Sequence, residues 1–272
     1  MLKDKVKHSI ELLKKGEKLA LSLSEQGYFV AFSGGKDSQV MLDLVKKSGV
    51  KYMAYYSVTS NDPPENVYFI REKYPEVVFI HPEKNYYKLI SEKGLPTVMK
   101  RYCCERMKER LGTGTVVLTG VRAEESRKRA AYSEFAVVSR RKENIGVERT
   151  LEGVTEMEHR CIRGKDKVML RPILQWTERD IWSYIYSENI PVNPCYNLVG
   201  RVGCMFCPFS SKANIALYEQ RYPRFRALII RSLERYLDNC RSRGSELLLG
   251  SAEEYYQWWK SKRSIEEYLR RR

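Results

Sequence analysis

No apolar run of about 18 residues occurs in the 272-residue chain, which argues against a membrane-spanning helix and against the membrane as a partner. The N-terminus also lacks the apolar stretch of a secretory leader, so the expectation is a soluble protein of the cytoplasm. Acidic residues are in deficit: 34 Asp and Glu face 49 Lys and Arg, leaving a formal charge of +15. That balance concentrates polyanions near the surface and leaves DNA or RNA open as partners without demanding them. The seven cysteines are odd in number, and in a reducing compartment metal binding or thiol chemistry is a better reading than a disulfide framework.

At this length the chain can bury a full core, and alternating short apolar runs and helical periodicities suggest how. Residues 1–24 carry Val6, Ile10, Leu13 and Leu19 at helical spacing among lysines. Tyr28 to Phe32, Tyr52 to Val58, Val77 to Ile80 and Thr115 to Thr119 read as buried strands, with helical segments between them. That alternation predicts an α/β fold with a largely parallel sheet and helices on both faces. Residues 139–168 are charged and weakly periodic and read as an insertion or lid. Thr177 and Asp180 open a helix with capping-box spacing, whose expected core stripe is Ile181, Trp182, Ile185 and Tyr186. Beyond Pro208 the chain turns helical and aromatic-rich. Tyr255, Tyr256, Trp258 and Trp259 suit a packed cap or a homodimer surface, and stacking on bases is the other use. The linear division is therefore an N-terminal helix over 1–24, a nucleotide-binding domain over 25–210 and a helical C-terminal extension over 211–272.

The first strand empties directly into Ser33-Gly34-Gly35-Lys36-Asp37-Ser38, and a helix follows. Strand, glycine pair and helix N-terminus together direct backbone N–H groups at an anion. The pattern is not the P-loop G-x-x-x-x-G-K-[ST], because its glycines are adjacent and the lysine follows at once. Gly34 and Gly35 let the backbone curl, Ser33 and Ser38 add hydroxyls, and Lys36 brings a point charge. Asp37 suits either an Mg2+ ion or the ordering of the loop. The polar turn from Thr59 to Glu65 follows the second strand and is placed beside the same ligand, as is the basic run after Gly120.

Ser33 to Ser38 resemble the signature of the adenine-nucleotide PP-loop superfamily, whose members often cleave ATP between its α and β phosphates. Arg101-Tyr102-Cys103-Cys104, Thr119-Gly120-Val121-Arg122 with Glu124-Glu125-Ser126-Arg127-Lys128-Arg129, and Gly203-Cys204-Met205-Phe206-Cys207-Pro208 narrow the resemblance. They point to the phosphoadenosine phosphosulfate reductase-like family and its adenine nucleotide alpha hydrolase-like fold, over roughly residues 25–210. The resemblance implies that Ser33, Gly35, Lys36 and Ser38 hold phosphates, with ATP or a sulfonucleotide as substrate, and Gly34 and Asp37 complete the expected binding loop. It further implies that Gly120 and Arg122 border the nucleotide, with Ser126 and Arg129 supporting that wall. Thr59 is expected beside the nucleotide from its place after the second strand, and Lys36, Asp37 and Arg122 are the residues expected to serve catalysis.

Cys204-x-x-Cys207 sets two thiolates on one tight turn, a geometry shared by iron–sulfur clusters, structural zinc and redox dithiols. Cys103 and Cys104 add two sulfurs, but adjacent side chains diverge, so joint ligation requires an unusual backbone. The resemblance to sulfonucleotide reductases implies a [4Fe–4S] cluster on Cys103, Cys104, Cys204 and Cys207. Zinc and plain structural thiols remain alternatives. Cys161, Cys195 and Cys240 read as core or incidental thiols, with ligation or thiol chemistry as the other use.

Two reactions fit. Resembled reductases carry their nucleophilic cysteine in a C-terminal Glu-Cys-Gly-Leu-His segment, whereas this sequence ends Tyr268-Leu269-Arg270-Arg271-Arg272. The expectation is therefore ATP cleavage to AMP and pyrophosphate, coupled to sulfur transfer and directed at nucleic acid, with a sulfur or electron donor protein as partner. Sulfonucleotide reduction to sulfite is the alternative, and a nucleotide-dependent partner protein is the third reading. Arg270 to Arg272 suit a solvated, disordered end better than a phosphate contact.

Overall fold

The computed structural model describes residues 2–138 and 167–271. The insertion expected over 139–168, Cys161 within it and Arg272 lie outside the described residues, except that Lys167 and Val168 already belong to a strand. Two compact units form, and they do not follow linear order. The first comprises Met1–Ser57, Pro64–Ile80 and Arg110–Val202; the second comprises Val58–Pro63, His81–Glu109 and Gly203–Arg272.

The first unit is built on a six-stranded sheet: β1 (Tyr28–Phe32), β2 (Tyr52–Ser57), β3 (Val78–Ile80), β4 (Val116–Leu118), β5 (Phe135–Val138) and β6 (Lys167–Leu170). The order is β3-β2-β1-β4-β6-β5, all neighbours parallel except the β5–β6 pair. The central strands are almost wholly apolar because a parallel sheet is covered on both sides. From β1 the chain progresses outward through β2 to β3, then returns to place β4 on the other side of β1. The chain thus reverses direction between β1 and β4, and in open sheets of this kind ligands bind in the crevice beyond the carboxyl ends of the strands at such a reversal. The expected fold class is the observed one. Strands β5 and β6 add to the four that the sequence pattern predicts: Phe135 to Val138 lies among turn and charged residues, and the start of β6 falls within the charged segment 139–168.

Helix α1 (Leu2–Leu23) buries Leu13, Leu19 and Ala20, and the Tyr28 hydroxyl donates to the Leu13 carbonyl at 2.7 Å. Helix α2 (Lys36–Ser48) follows the glycine loop and ends at Gly49. Helix α3 (Pro64–Lys73) precedes β3. The helix Glu178–Ser187 starts with the expected capping box, and Lys5 of α1 reaches its Asp180 at 2.6 Å. Its buried stripe is Ile181, Tyr184 and Ile185, whereas Trp182 is half-buried and Tyr186 is 67% exposed. The apolar face follows the i, i+3, i+4 positions, so Tyr184 takes the core place expected of Tyr186.

In the second unit the C-terminal segment forms the helices Lys212–Arg221, Pro223–Ser242, Ala252–Ser261 and Ile265–Arg270. Tyr256 and Trp259 are buried there, and the Trp259 indole donates to the Pro96 carbonyl at 2.7 Å. That is the packed-cap use of the aromatic run. Arg270 closes a helix instead of joining a disordered tail, because Ser264 caps that helix by accepting from the Glu267 N–H.

Asp180 has its pKa held down to about 2: burial opposes ionisation, but Lys5 and the Thr177 hydroxyl and amide outweigh it. A depressed carboxylate stabilises the fold above its unfolded value near 3.8 and loses that contribution as pH falls towards 2. Asp180→Asn should therefore lower the urea midpoint at neutral pH. The difference from wild type should shrink below about pH 4, and a difference that stays constant down to acid unfolding would contradict this assignment.

Candidate active site and cysteine recess

The glycine loop occupies the β1 side of the crevice. Gly34 sits at φ +75°, and a Cβ there would collide with the Asn66 side chain. The Ser33 N–H donates to Ser38 Oγ at 3.2 Å, the Ser38 hydroxyl donates to the Gly35 carbonyl at 2.8 Å, and the two hydroxyl oxygens stand 3.1 Å apart. Gly35 gives α2 no side-chain cap, so the first helix amides face the loop's concavity with their positive dipole end. The Lys36 N–H instead donates to the hydroxyl of Tyr196 at 2.8 Å.

Two buried amides support the loop from behind. Asn193 Nδ2 donates to the Gly34 carbonyl at 2.9 Å and to Asn66 Oδ1 at 2.7 Å, while Asn66 Nδ2 donates to the Ser33 carbonyl at 3.2 Å. Neither asparagine belongs to a recognisable spacing motif. Asn193 stands beside Pro194, and only the fold brings it 159 residues along the chain to Gly34.

The β4 side of the crevice meets the loop directly. A Cβ at Gly120 would lie 2.9 Å from the Asp37 carbonyl carbon, so only glycine permits this approach. Arg122 is buried to 3% exposure, with Nε donating to Asp37 Oδ1 at 2.6 Å and Nη1 to Glu124 Oε2 at 2.7 Å. Burial disfavours its charge, but Asp37, Glu124 and Glu125 raise its pKa further. Lys36 Nζ stands 3.4 Å from Asp37 Oδ2 and 3.7 Å from Glu178 Oε1. Asp37 thus has both oxygens engaged by cations, an arrangement that orders the loop. Ser126 caps the turn Arg127–Ala130 by accepting from the Arg129 N–H, and Arg129 pairs with Glu125. Ser33, Gly34, Gly35, Lys36, Asp37, Ser38, Gly120 and Arg122 therefore converge, and Ser126 and Arg129 form the next layer. Thr119 ends β4 with a hydroxyl that is fully buried and without a hydrogen-bond partner.

Thr59 lies in the second unit. Its N–H and hydroxyl both donate to Asp62 Oδ2 at 2.8 Å, and Oγ1 stands 3.5 Å from Cys204 Sγ. It belongs to a recess lined by Cys103, Cys104, Cys204 and Cys207 with Thr59, Asn61, Tyr86, Met107, Lys108 and Phe206, enclosing about 300 Å3 of space open to solvent. The Cys204-x-x-Cys207 turn is fixed by its backbone: the Met205 N–H donates to the Asn61 carbonyl at 2.8 Å, and the Tyr86 hydroxyl and Asn61 Nδ2 donate to the Phe206 carbonyl. Cys103 and Cys104 lie on the turn Tyr102–Cys104, which passes at once into the π-helical turn Glu105–Glu109. Such π turns collect at functional sites.

The Cys103 thiol donates to Cys104, raising its own pKa and lowering that of Cys104, which Lys108 and Arg101 favour further as the anion. Burial pushes the Cys204 thiol up against the pull of Lys108, whose Nζ stands 3.5 Å from Cys204 Sγ. Among the described residues no group of three or more His, Cys, Asp or Glu is arranged to hold a metal ion. Cys195 is buried in the first unit at 1% exposure, and Cys240 lies half-buried beside Tyr236 on the helix Pro223–Ser242.

Residues 27–210 match the family described as the phosphoadenosine phosphosulfate reductase domain. An uncharacterized protein of Methanocaldococcus jannaschii is 26% identical over 241 residues, covering 82% of this chain and 54% of its own length. Sulfate adenylyltransferase subunit 2 of Salmonella arizonae is 25% identical over 195 residues, 61% of this chain and 58% of that protein. The chain spans about half the length of the curated relatives it matches. Among solved structures, Candida glabrata FMN adenylyltransferase in complex with FAD and inorganic pyrophosphate aligns with a TM-score of 0.51 at 14% identity, over 75% of this chain and 63% of its own, a likeness of fold.

Asn193→Ala should cost about 1–3 kcal/mol, because it takes the Asn193 donor from the buried Gly34 carbonyl and Asn66 Oδ1. Urea unfolding measures this directly, and an unchanged midpoint would mean that water reaches those groups.

Proposed function

The chain belongs to the phosphoadenosine phosphosulfate reductase domain family, and from that premise we propose that it cleaves ATP between the α and β phosphates to activate an acceptor for sulfur transfer. The observation that carries this reading is the glycine loop locked by Asp37 and Arg122 at the mouth of a parallel-sheet crevice, with α2 behind it. In this reading the loop amides and Lys36 hold the β and γ phosphates, Gly120 lets the opposite wall approach, and Arg122 acts through Asp37 as a positioning residue. An acceptor oxygen attacks the α phosphorus, the bond to the β-phosphate oxygen breaks, and pyrophosphate leaves. Lys36 and the oriented amides stabilise the charge that develops. Hydrosulfide then forms a bond to the activated atom as AMP departs, with no net change of oxidation state. Mg2+ enters as the counterion of the nucleotide, since the Asp37 carboxylate is already taken by Arg122 and Lys36.

The name of the Salmonella relative, a sulfate adenylyltransferase subunit, supports adenylyl chemistry. The basic charge of the chain supports a nucleic acid as acceptor.

The four recess thiols fit a [4Fe–4S] cluster by donor chemistry. All four line one recess, and two of them sit on a C-x-x-C turn, a donor set that clusters and zinc share. Cys103, Cys104, Cys204 and Cys207 would hold the cluster, and it would supply an iron site for sulfide. A sulfur donor protein completes the scheme.

Protein purified without oxygen should release pyrophosphate from ATP and Mg2+, faster with the correct nucleic acid, and Lys36→Ala should lower the rate by about a hundredfold or more. Sulfite release from a sulfonucleotide without pyrophosphate release from ATP would transfer the assignment to reduction. Independently, iron and acid-labile sulfide should appear in equal amounts and fall in the Cys204→Ser and Cys104→Ser variants. Zinc at one per chain, without sulfide, would replace the cluster reading.

A further inference from the structure

We propose that the phenolic hydroxyl of Tyr196 is a phosphate-binding group of the loop 33–38, relaying the pull of the α2 N-terminus to the bound anion. This rests on the nucleotide reading above and adds a residue from a distant segment of the chain. Tyr196 belongs to the short helix Cys195–Val199, which Asn193 anchors to the loop through the Gly34 carbonyl. The ring is held edge-on to Trp182 at 5.3 Å between centroids, and Lys36 Nζ lies 5.9 Å from its centre.

A neutral phenol accepts hydrogen bonds and has a single proton to donate. Here the oxygen accepts from the Lys36 N–H at 2.8 Å, and among the described residues no acceptor takes the phenolic proton. Burial raises the Tyr196 pKa, so that proton stays in place. The donor is also in the right place: its oxygen lies 3.6 Å from where a Cβ at Gly35 would stand, beside the glycine left bare at the loop. A hydroxyl that accepts from one group is a stronger donor to the next, and Thr119 adds a second hydroxyl, fully buried and without a partner, at the end of β4. An anion in the crevice would supply the missing acceptor for Tyr196 while leaving the Lys36 contact intact.

Tyr196→Phe removes the hydroxyl and keeps the ring against Trp182 and Lys36. Titration calorimetry with inorganic pyrophosphate, ATP and adenosine separates the phosphate contact from the rest of the nucleotide. The expected result is pyrophosphate and ATP binding weakened about tenfold or more, as for loss of a hydrogen bond to a charged group, with adenosine affinity preserved and the thermal midpoint lowered only as far as loss of a helix cap requires. Equal pyrophosphate affinity in both proteins would reduce Tyr196 to a helix cap and overturn the proposal. Tighter binding by the variant would overturn it as well, since the phenol would then be a competitor for the anion. Wild-type protein that binds neither ATP nor pyrophosphate would instead overturn the nucleotide reading, a result visible before the variant is made.

Discussion

The ion pair between Arg122 and Asp37 joins the loop after β4 to the loop after β1, and the rest of the candidate nucleotide site is arranged around it. A buried guanidinium has to be matched by fixed acceptors, because an unpaired charge at that depth is costly. Glu124 and Asp37 meet the demand, and in doing so they fix the wall against the loop. Glu124 also accepts from the Glu178 N–H at 2.6 Å, so the N-terminus of the helix Glu178–Ser187 is bound into the same network. Gly120 is the steric counterpart, since the electrostatic contact can form only where no side chain intervenes.

The loop itself presents backbone groups to an anion, so it needs support that leaves those groups free. Asn66 and Asn193 supply it by donating to the carbonyls of Ser33 and Gly34 from the far side, which leaves the amide edge facing the crevice. The serine hydroxyls bond to each other and to the loop backbone, a set of contacts that a phosphate can exchange for its own. Rigidity where the carbonyls point inward and exchangeable contacts where the ligand would lie suit a site that discriminates by phosphate geometry.

The second unit solves a different problem, that of gathering four soft donors from two distant segments. Asn61 and Tyr86 hold the backbone of the Cys204-x-x-Cys207 turn, and the winding changes from α to π directly after the tandem pair. Lys108 favours the anionic form of the thiols nearby, as a thiolate site requires. Asp62, linked to Thr59, opposes it at Cys204.

The sequence by itself determined the fold class and marked the loop 33–38 and the Cys204-x-x-Cys207 turn, each written in local pattern: apolar runs alternating with helical periodicity, adjacent glycines between strand and helix, and two cysteines three apart. Only the family resemblance joined Cys103 and Cys104 to that turn. Tertiary structure alone decided that Tyr196 caps α2, that Asn193 and Asn66 support the loop, and that Thr59 turns to Cys204 in the second unit. It also decided that the edge strands β5 and β6 complete the sheet and that Tyr184, not Tyr186, enters the core. These depend on contacts between residues far apart in the chain, or on which side of a short element meets its neighbours. A single tyrosine or asparagine has no spacing that announces its partner, so its role emerges only when the packing of the whole sheet has set its distance to the loop.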